Sequence, residues 1–396
     1  MHKMLDLVDL KAIEALATYG PRNVSRVSRE LQIPAETLRK RIKRIYLKTF
    51  LRFHVNVCHS NLGLVTGIVF AEAIPGYENA LLDALKINDF WTFLCRGYGM
   101  FEGCFGIFPI PKERRGQFEK FINEIRGLGL TRRIQVFWTS FFHPTLSLCK
   151  WFDKTTKSWI FDWKRWVQEV KSANVNSLHF LETSDVSIKA DETDVLLIKE
   201  LEKDATISLK KLAEKIGISA QLASYHFHKH VLGRKLLENF RITIFYFGEN
   251  SEFSYFLFKF TESEKLANFA STLLDKPFVK TLGKIMGENK LYACLYFPKT
   301  EFRQFLEVLS QLIMDGFLES YQYIIQDLNN SAREIIPFQC FKEGKWMYNH
   351  ERYAHILQKF VTEKQLIDKL TLHKTHTTIN QSSKTKILME RAATTN

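Results

Sequence analysis

The sequence predicts an α+β protein in which one unit is built twice. Residues 6–46 align without a gap on residues 191–231 after a shift of 185 positions. The matched pairs include Asp6 with Asp191, Asp9 with Asp194, Ile13 with Ile198, Leu16 with Leu201, and Ile33 with Ile218. Downstream of each copy, short aromatic and β-branched runs bounded by Gly and Pro favour strands. Because both copies must build the same unit, the repeat is the strongest single indication of the fold.

The second copy shows most clearly that each unit begins with three short helices. Residues 191–203 form an amphipathic first helix and residues 208–216 a second. Gly217 supplies the turn, and Ser219 can cap the third helix, which runs to about His230. This spacing is typical of a helix-turn-helix.

The first copy has the same three helices with different punctuation. They are predicted at 6–19, 24–31 and from 34 onwards, with Gln32 in the turn. Pro34 suits the first turn of the third helix, where its missing N–H is not needed.

The third helix of the first copy separates apolar from basic residues. Its apolar residues recur at i, i+4 and i+7 and are expected to pack inward: Leu38, Ile42 and Ile45. Its cations are expected on the solvent side: Arg39, Lys40, Arg41, Lys43 and Arg44. Such a cluster repels itself unless an anion lies against it. A solvated basic face is the alternative, but this helix is the one that a helix-turn-helix inserts into the DNA major groove.

The two copies resemble the Lrp/AsnC transcription regulators, in tandem duplication. The motifs are "LDLVDLKAIEAL" with "VSRVSRELQIPAETLRKRIKRI" in the first copy and "ADETDVLLIKEL" with "LKKLAEKIGISAQLASYHF" in the second. The resemblance implies two winged helix-turn-helix domains alternating with two ferredoxin-like βαββαβ ligand-sensing domains. The domains are placed at 1–58 and 189–247 for the winged helix-turn-helix units and at 62–140 and 250–330 for the ferredoxin-like units.

The strands of the two sheet domains are placed by their aromatic and β-branched content. In the first copy they are expected near 64–73, 90–97, 101–110 and 132–138, with a helix over 112–127. In the second copy they are expected at 252–260, 278–286, 290–298 and 318–327, with helices at 262–274 and 300–315.

Each unit is followed by an aromatic segment, and these two segments also align. "WIFDWKRW" at 159–166 matches "WMYNHERY" at 346–353, and each is expected to form a helix that packs on its own domain. The first belongs to a segment with the interdomain linker (141–188, linker over 172–188), and the second to a C-terminal aromatic helix (331–370). Residues 371–396 are polar and rich in Thr and Lys, which is typical of a disordered tail that adds nonspecific DNA attraction.

Charge distinguishes the two copies. Residues 1–55 contain 12 Lys and Arg against 5 Asp and Glu, whereas residues 185–240 contain 9 of each. The first copy therefore has the electrostatic footprint of a nucleic-acid binder. The third helix of the second copy offers side chains that can hydrogen-bond to bases or phosphates but attract DNA weakly: Gln221, Ser224, Tyr225, His228 and Lys229. That copy is either a minor DNA reader or a structural unit.

The remaining composition places limits on function. The six cysteines are scattered and form no CxxC motif, which favours reduced thiols in a cytoplasmic protein. No apolar run reaches membrane-spanning length, and no cofactor is expected. His226 and His230 lie four residues apart, a spacing that zinc accepts, but no acidic or cysteine partner lies nearby in sequence. Alignment of His226 with Arg41 favours surface or DNA-facing imidazoles, so no metal is expected.

The resemblance also implies an amino-acid-like effector, bound by a glycine-rich turn between the second and third strands of each sheet domain. The residues concerned are Gly97, Gly99 and Glu102 in the first copy and Gly287 and Asn289 in the second. Neither turn matches the family closely, and tight turns between strands are the alternative.

Together these features predict a non-catalytic DNA-binding transcription regulator. The sensing domains pair within the chain as a pseudodimer, with further homo-oligomers left open, and Glu36 and Thr37 are placed to reach base edges. Two alternatives remain. One is a siroheme decarboxylase-like enzyme, a resemblance in which His54, His59 and His143 would serve tetrapyrrole chemistry. The other is a protein-interaction adaptor with no DNA affinity.

Overall fold

A computed structural model describes residues 5–49, 51–175, 185–248 and 250–360. The linker centre and the tail predicted at 371–396 lie outside these residues. The two halves have the same order of elements: three helices, a strand, and a βαββαβ domain. The expected fold class is confirmed, with helix-turn-helix units alternating with ferredoxin-like domains.

The described residues of the first half form six α-helices and seven strands. The helices are α1 (Leu7–Tyr19), α2 (Val24–Leu31), α3 (Ala35–Thr49), α4 (Glu78–Lys86), α5 (Arg115–Gly127) and α6 (Trp163–Ser172). The strands are β1 (Arg52–Val57), β2 (Leu64–Ala73), β3 (Phe93–Gly99), β4 (Gly103–Pro111), β5 (Thr131–Thr139) and the small hairpin β6 (Phe152–Asp153) and β7 (Ser158–Trp159).

The second half repeats this order. Its helices are α7 (Glu192–Lys203), α8 (Leu209–Ile216), α9 (Ala220–Tyr225), α10 (Ser263–Leu273) and α11 (Lys299–Met314), with α12 at 350–360. Its strands are β8 (Leu237–Thr243), β9 (Ser251–Lys259), β10 (Val279–Lys284), β11 (Lys290–Pro298), β12 (Ser320–Arg333), β13 (Phe341–Lys342) and β14 (Lys345–Trp346). The sequence did not predict α4, and it placed β3 and β4 two to three residues too early.

Both helical units begin with a reciprocal pair of aspartates that caps the first helix. The Asp9 amide donates to the Asp6 carboxylate at 2.9 Å, and the Asp6 amide donates back to Asp9 at 3.1 Å. Asp191 and Asp194 form the same pair with the same two distances. Each pair satisfies two N–H groups that a helix start leaves free, which fixes where the helix begins.

The two sheet domains join edge to edge into eight strands in the order β10-β11-β9-β12-β3-β4-β2-β5. The junction pairs Gln326 of β12 with Gly97 of β3. A Cβ atom at Gly97 would lie 2.5 Å from the carbonyl oxygen of Ile325, so only glycine allows this approach. The sheets therefore pair within one chain, as the repeat predicted.

A two-stranded ribbon connects the helical units. β1 of the first half pairs with β8 of the second, and Asn56 donates to Asn239 across the ribbon at 2.7 Å. α1 packs on β8, and α7 packs on β1. Each helical unit therefore rests on a strand from the other half.

The aromatic segments exchange places, which corrects the expectation that each packs on its own domain. In α6, Trp163 donates to Glu301 at 2.8 Å and Trp166 donates to Thr272 at 3.0 Å, both in the second half. Trp346 donates to the carbonyl oxygen of Leu62, and Tyr353 donates to Asp89, both in the first half. The rings are buried by the partner half because there they complete an existing apolar core.

Within the described part of the chain, no helix combines the length and apolarity needed to cross a bilayer.

Candidate nucleic-acid interface

The first helix-turn-helix is formed by α2, a turn at Gln32 and α3. Gln32 has a φ of 55°, the left-handed conformation that commonly ends a helix. Leu38 and Ile45 of α3 are buried and Ile42 is half-buried, as their spacing predicts. The inner face of α3 is therefore fixed against α1 and α2, and its outer face is left to solvent.

That outer face is basic. Arg39, Lys40 and Lys43 are exposed along α3, and Glu36 and Thr37 are exposed near its N-terminus. Arg39 lies 3.7 Å from Glu36, a loose surface pair that contributes little and is easily exchanged for another anion. Three of the five predicted cations are thus available to a phosphate.

The other two cations, Arg41 and Arg44, form ion pairs within the domain; Arg44 is exposed as expected, whereas Arg41 is half-buried, which corrects the expectation that it faces solvent. The Arg41 guanidinium donates to Asp6 at 2.8 Å and to Asp9 at 2.9 Å. Arg44 also pairs with Asp9, whose side chain is 1% exposed. The hydrogen bonds from Arg41 to Asp6 and then to Asp9 raise the pKa of Arg41. These pairs clamp the back of α3 to the start of α1.

One feature of the sequence points to these ion pairs, although the helical pattern alone does not identify the partners. Asp9 lies on the apolar face of α1, between Asp6 and the core residue Ile13. A carboxylate at an inward position needs a charged partner. The partner is 32 to 35 residues away, on α3, so local spacing does not identify it.

The second unit presents a weaker outer face at the same positions. Gln221, Tyr225, His228 and Lys229 are exposed, and Ser224 is half-buried. Ser219 caps the third helix by accepting from the amide of Leu222 at 3.1 Å, and Gly217 has a φ of 76°, as predicted. Lys203 and Lys215 pair with Glu200 at 2.8 and 3.2 Å, which neutralises part of the surface nearby.

His226 and His230 are not on this face, which corrects the expectation of surface imidazoles. The Nδ1 atom of His226 lies 2.8 Å from Asp194, and that of His230 lies 3.2 Å from Asp194 and 3.3 Å from Asp191. Both imidazoles are 11% exposed, and the Asp194 side chain is fully buried. They occupy the place that Arg41 and Arg44 take in the first unit.

Behind the two helical units lies a cavity of about 480 Å³. The ribbon of β1 and β8 forms one wall, and the sheet forms the other. Aromatic side chains line much of it: Phe93, Phe141, Phe245, Phe253, Tyr255 and Tyr292. Ionisable side chains line the rest: His59, His143, Glu202, Arg241, Lys280, Arg333 and Glu334.

Two of these ionisable groups, Lys280 and Glu202, have pKa values shifted into the neutral range. Burial lowers the pKa of Lys280 to about 7 and raises the pKa of Glu202 to about 7. The Lys280 ammonium lies 4.2 Å from the ring centre of Tyr246, and no carboxylate among the described residues lies within ion-pair distance of it. Perturbed groups of this kind concentrate at ligand sites.

Of the three histidines considered for tetrapyrrole chemistry, His59 and His143 line this cavity and His54 does not. His59 lines it and hydrogen-bonds through Nδ1 to Thr66 at 2.9 Å, and burial lowers its pKa to about 4. His143 lines it and pairs with Glu238 at 2.6 Å. His54 contacts the carbonyl oxygen of Glu202 at 2.8 Å. His59 and His143 also line a second cavity, of about 840 Å³.

The residues expected to hold an effector lie elsewhere. Gly97 and Gly99 sit at the junction of the two sheets, and Gly287, with a φ of 74°, forms the turn between β10 and β11. Glu102 and Asn289 are exposed. All five are described, and none lines either cavity.

Comparison with known proteins identifies one part of the chain directly. Residues 191–223 match the AsnC-type helix-turn-helix domain. No curated protein sequence matches the chain.

Solved structures give only weak similarities. The siroheme decarboxylase NirDL is 8% identical, with 90% of this chain and 99% of that chain covered and a TM-score of 0.48. AsnC of E. coli is 14% identical, covering 37% and 98% with a TM-score of 0.29. An AsnC family regulator from Agrobacterium tumefaciens is 16% identical, covering 37% and 97% with a TM-score of 0.30. At these values the neighbours carry no argument about function. The match of residues 191–223 confirms that the second helix-turn-helix resembles the AsnC type, as the sequence predicted.

Proposed function

We propose that the protein is a DNA-binding transcription regulator in which the first helix-turn-helix supplies most of the binding. The observation that carries this proposal is the exposed basic face of α3, with Arg39, Lys40 and Lys43 in line. Among the described residues these cations have no buried partner, whereas Arg41 and Arg44 are held by aspartates. DNA phosphates are the anions that such a row on a recognition helix meets.

In this proposal the residues of α3 divide their roles. Arg39, Lys40 and Lys43 contact phosphates, and Glu36 and Thr37 at the helix N-terminus reach base edges. Arg41 and Arg44 are positioning residues, because they fix the angle of α3 on α1 and do not touch DNA. The second unit adds contacts through His228 and Lys229, which are exposed but bring little charge.

The experiment compares two triple variants of equal charge change. Arg39, Lys40 and Lys43 are replaced by Ala in one, and the exposed lysines Lys120, Lys154 and Lys164 in the other. DNA affinity is measured against salt concentration. We expect the first variant to lower affinity and to reduce the salt slope by about 1 for each phosphate that is no longer neutralised. A slope unchanged in the first variant, or reduced equally in both, contradicts the proposal.

We further propose that a small carboxylate-bearing effector, such as an amino acid, occupies the cavity between the ribbon and the sheet. Lys280 would bind its carboxylate, and the aromatic wall would hold its apolar part. Because burial lowers the pKa of Lys280, a bound anion would favour the charged ammonium and take up protons. The ribbon carries both helical units, so filling the cavity would change how they are held.

A second candidate function, a tetrapyrrole decarboxylase, is supported by the position of His59 and His143 on the cavity wall. This function requires a bound tetrapyrrole. It does not require an anion to bind the basic face of α3. Purified protein with a tetrapyrrole absorption band and no salt-sensitive DNA binding would favour this candidate. The basic face of α3 is why we prefer the regulator.

A further inference from the structure

Four potential metal ligands meet at the back of the second recognition helix. Two carboxylates come from the start of α7, Asp191 and Asp194, and two imidazoles come from the third helix, His226 and His230. One ligand atom from each of the four lies within 4.8 Å of all the others. The set joins the two helices and is distinct from both the DNA face and the cavity.

The first unit provides an internal control for this cluster. The residues aligned with the four are Asp6, Asp9, Arg41 and Ile45. The first unit therefore keeps the two acids but closes the site with an arginine, which is always protonated and cannot ligate a metal. The second unit has replaced both the arginine and the isoleucine with histidine, the commonest metal ligand in proteins.

The backbone at the two histidines is also unusual. Residues 226–232 form a π-helix, whereas the aligned residues 41–47 continue the regular α-helix of α3. A Cβ atom at Gly233 would lie 2.3 Å from the carbonyl oxygen of Lys229, so glycine is required where the π-helix ends. Short π-helical segments occur frequently at functional sites. Here the segment begins at His226, whose ring centre lies 4.5 Å from that of His230.

From this convergence we infer that Asp191, Asp194, His226 and His230 bind a Zn²⁺ ion. Two imidazole nitrogens and two carboxylate oxygens form a four-coordinate set that Zn²⁺ accepts. The site is enclosed on three sides, because Asp194 is fully buried and both imidazoles are 11% exposed. Asp191, at 46% exposed, forms the open side through which the ion enters.

Arg234 competes with a metal ion for this site. Its guanidinium donates to Nε2 of His230 at 2.9 Å and lies 3.7 Å from Asp194. With Nε2 accepting, the His230 proton sits on Nδ1, where it faces the carboxylates. Zn²⁺ takes that position only when the proton moves to Nε2 and Arg234 turns away. Arg234 is 40% exposed and also donates to the carbonyl oxygen of Lys189, so it has room and a second partner.

The ion would cross-link α7 to the recognition helix of the second unit. In the first unit Arg41 and Arg44 make that link by ion pairs, whereas in the second unit Zn²⁺ would strengthen a link that the imidazole–carboxylate contacts already make. The proposal does not depend on DNA binding, since the four ligands lie on the opposite side of the helix from His228 and Lys229.

The test uses the full chain, prepared without a polyhistidine tag and stripped of metal. Co²⁺ is titrated while visible absorption is followed, because a four-coordinate site gives strong d–d bands, and Zn²⁺ is then added as a competitor. We expect one equivalent of Co²⁺ to bind and Zn²⁺ to displace it. Absence of stoichiometric uptake of both ions by the wild-type chain would overturn the inference.

Two variants make the result specific. The double variant His226→Arg with His230→Ile restores the residues of the first unit, so the fold is expected to survive while the bands disappear. Arg234→Met removes the cation that competes for His230 and Asp194 and should tighten Zn²⁺ binding by about tenfold, the order of magnitude by which groups next to metal ligands change metal affinity. Undiminished metal binding by a folded double variant would place the ion elsewhere and contradict the assignment.

Discussion

The two recognition helices are similar on the side that contacts their own domain and differ on the exposed side. In both, a capping pair of aspartates at the start of the first helix binds basic residues of the third: Arg41 and Arg44 in one half, and His226 and His230 in the other. The exposed fronts have diverged, with Arg39 and Lys43 in the first aligned with Ser224 and His228 in the second. Both units therefore use an aspartate pair to hold the third helix against the first, whereas the residues on the exposed face of the third helix differ.

The two halves therefore place their cations on different surfaces. The first half places its free cations outside, on α3, where DNA can reach them. The second half supplies three cations to the interior cavity, Arg241, Lys280 and Arg333. Duplication within one chain allows such a division, because neither half has to perform both tasks, as each protomer of a symmetric dimer must.

The largest change in stability is expected from replacing the buried aspartates of the two units. Asp9→Ala leaves Arg41 and Arg44 without their buried partner and should lower the free energy of unfolding by about 3 kcal/mol. Asp194→Ala should cost about 1 to 2 kcal/mol, because it removes the hydrogen bonds between Asp194 and the two imidazoles. Urea unfolding of both variants measures the difference. A larger loss for Asp194→Ala than for Asp9→Ala would contradict the expectation that the aspartate of the first unit contributes more to stability.

A smaller effect is expected from the cavity. Lys280→Met removes a buried cation whose pKa burial lowers from 10.5 to about 7. Below pH 7 the lysine is charged in both the folded and unfolded states, so its burial penalty is complete; above about pH 10 it is neutral in both, and the penalty is gone. The variant should therefore be more stable than wild type by roughly 1 to 3 kcal/mol at pH 6.

That gain should shrink as the pH rises towards 10, as followed by thermal unfolding across the range. Lys280→Arg, which keeps the charge, is the control and should not be stabilised. A gain for Lys280→Met that does not depend on pH would mean that packing, and not charge, explains it.

The smallest effect concerns the helix caps. Ser219 accepts from the amide of Leu222, whereas Pro34 at the aligned position has no side chain that can do so. Ser219→Ala should lower the free energy of unfolding by about 1 kcal/mol. Pro34→Ala, which removes no cap, is the matched control. Equal losses in urea unfolding would indicate that the Ser219 hydrogen bond does not stabilise the second unit.

Local spacing was sufficient to predict most of the fold and part of the candidate site. The helix-turn-helix units, the inward Leu38 and Ile45, and the exposed Arg39, Lys40 and Lys43 all follow from the helical period. The strands follow from their composition, although α4 was missed. These features depend on residues within one or two turns of each other.

The rest depends on partners that lie far apart in the chain. Nothing local pairs Arg41 with Asp6, or His226 with Asp194, although each acid occupies an inward position. Similarly, the pattern of "WIFDWKRW" predicts an apolar face but does not say which half buries it. Residues of both halves line the cavity, which lies under the ribbon of β1 and β8. No sequence motif predicts that these two strands pair.

The most direct test of DNA binding by the first helix compares aligned pairs of residues on the two recognition helices. Arg39→Ala with Lys43→Ala is measured against Ser224→Ala with His228→Ala, as DNA affinity over a range of salt concentrations. We predict that the first pair lowers affinity and reduces the salt slope by about two, while the second leaves the slope unchanged. Equal slopes for the two variants, or a larger reduction for the second, would contradict the claim that the first helix carries the binding.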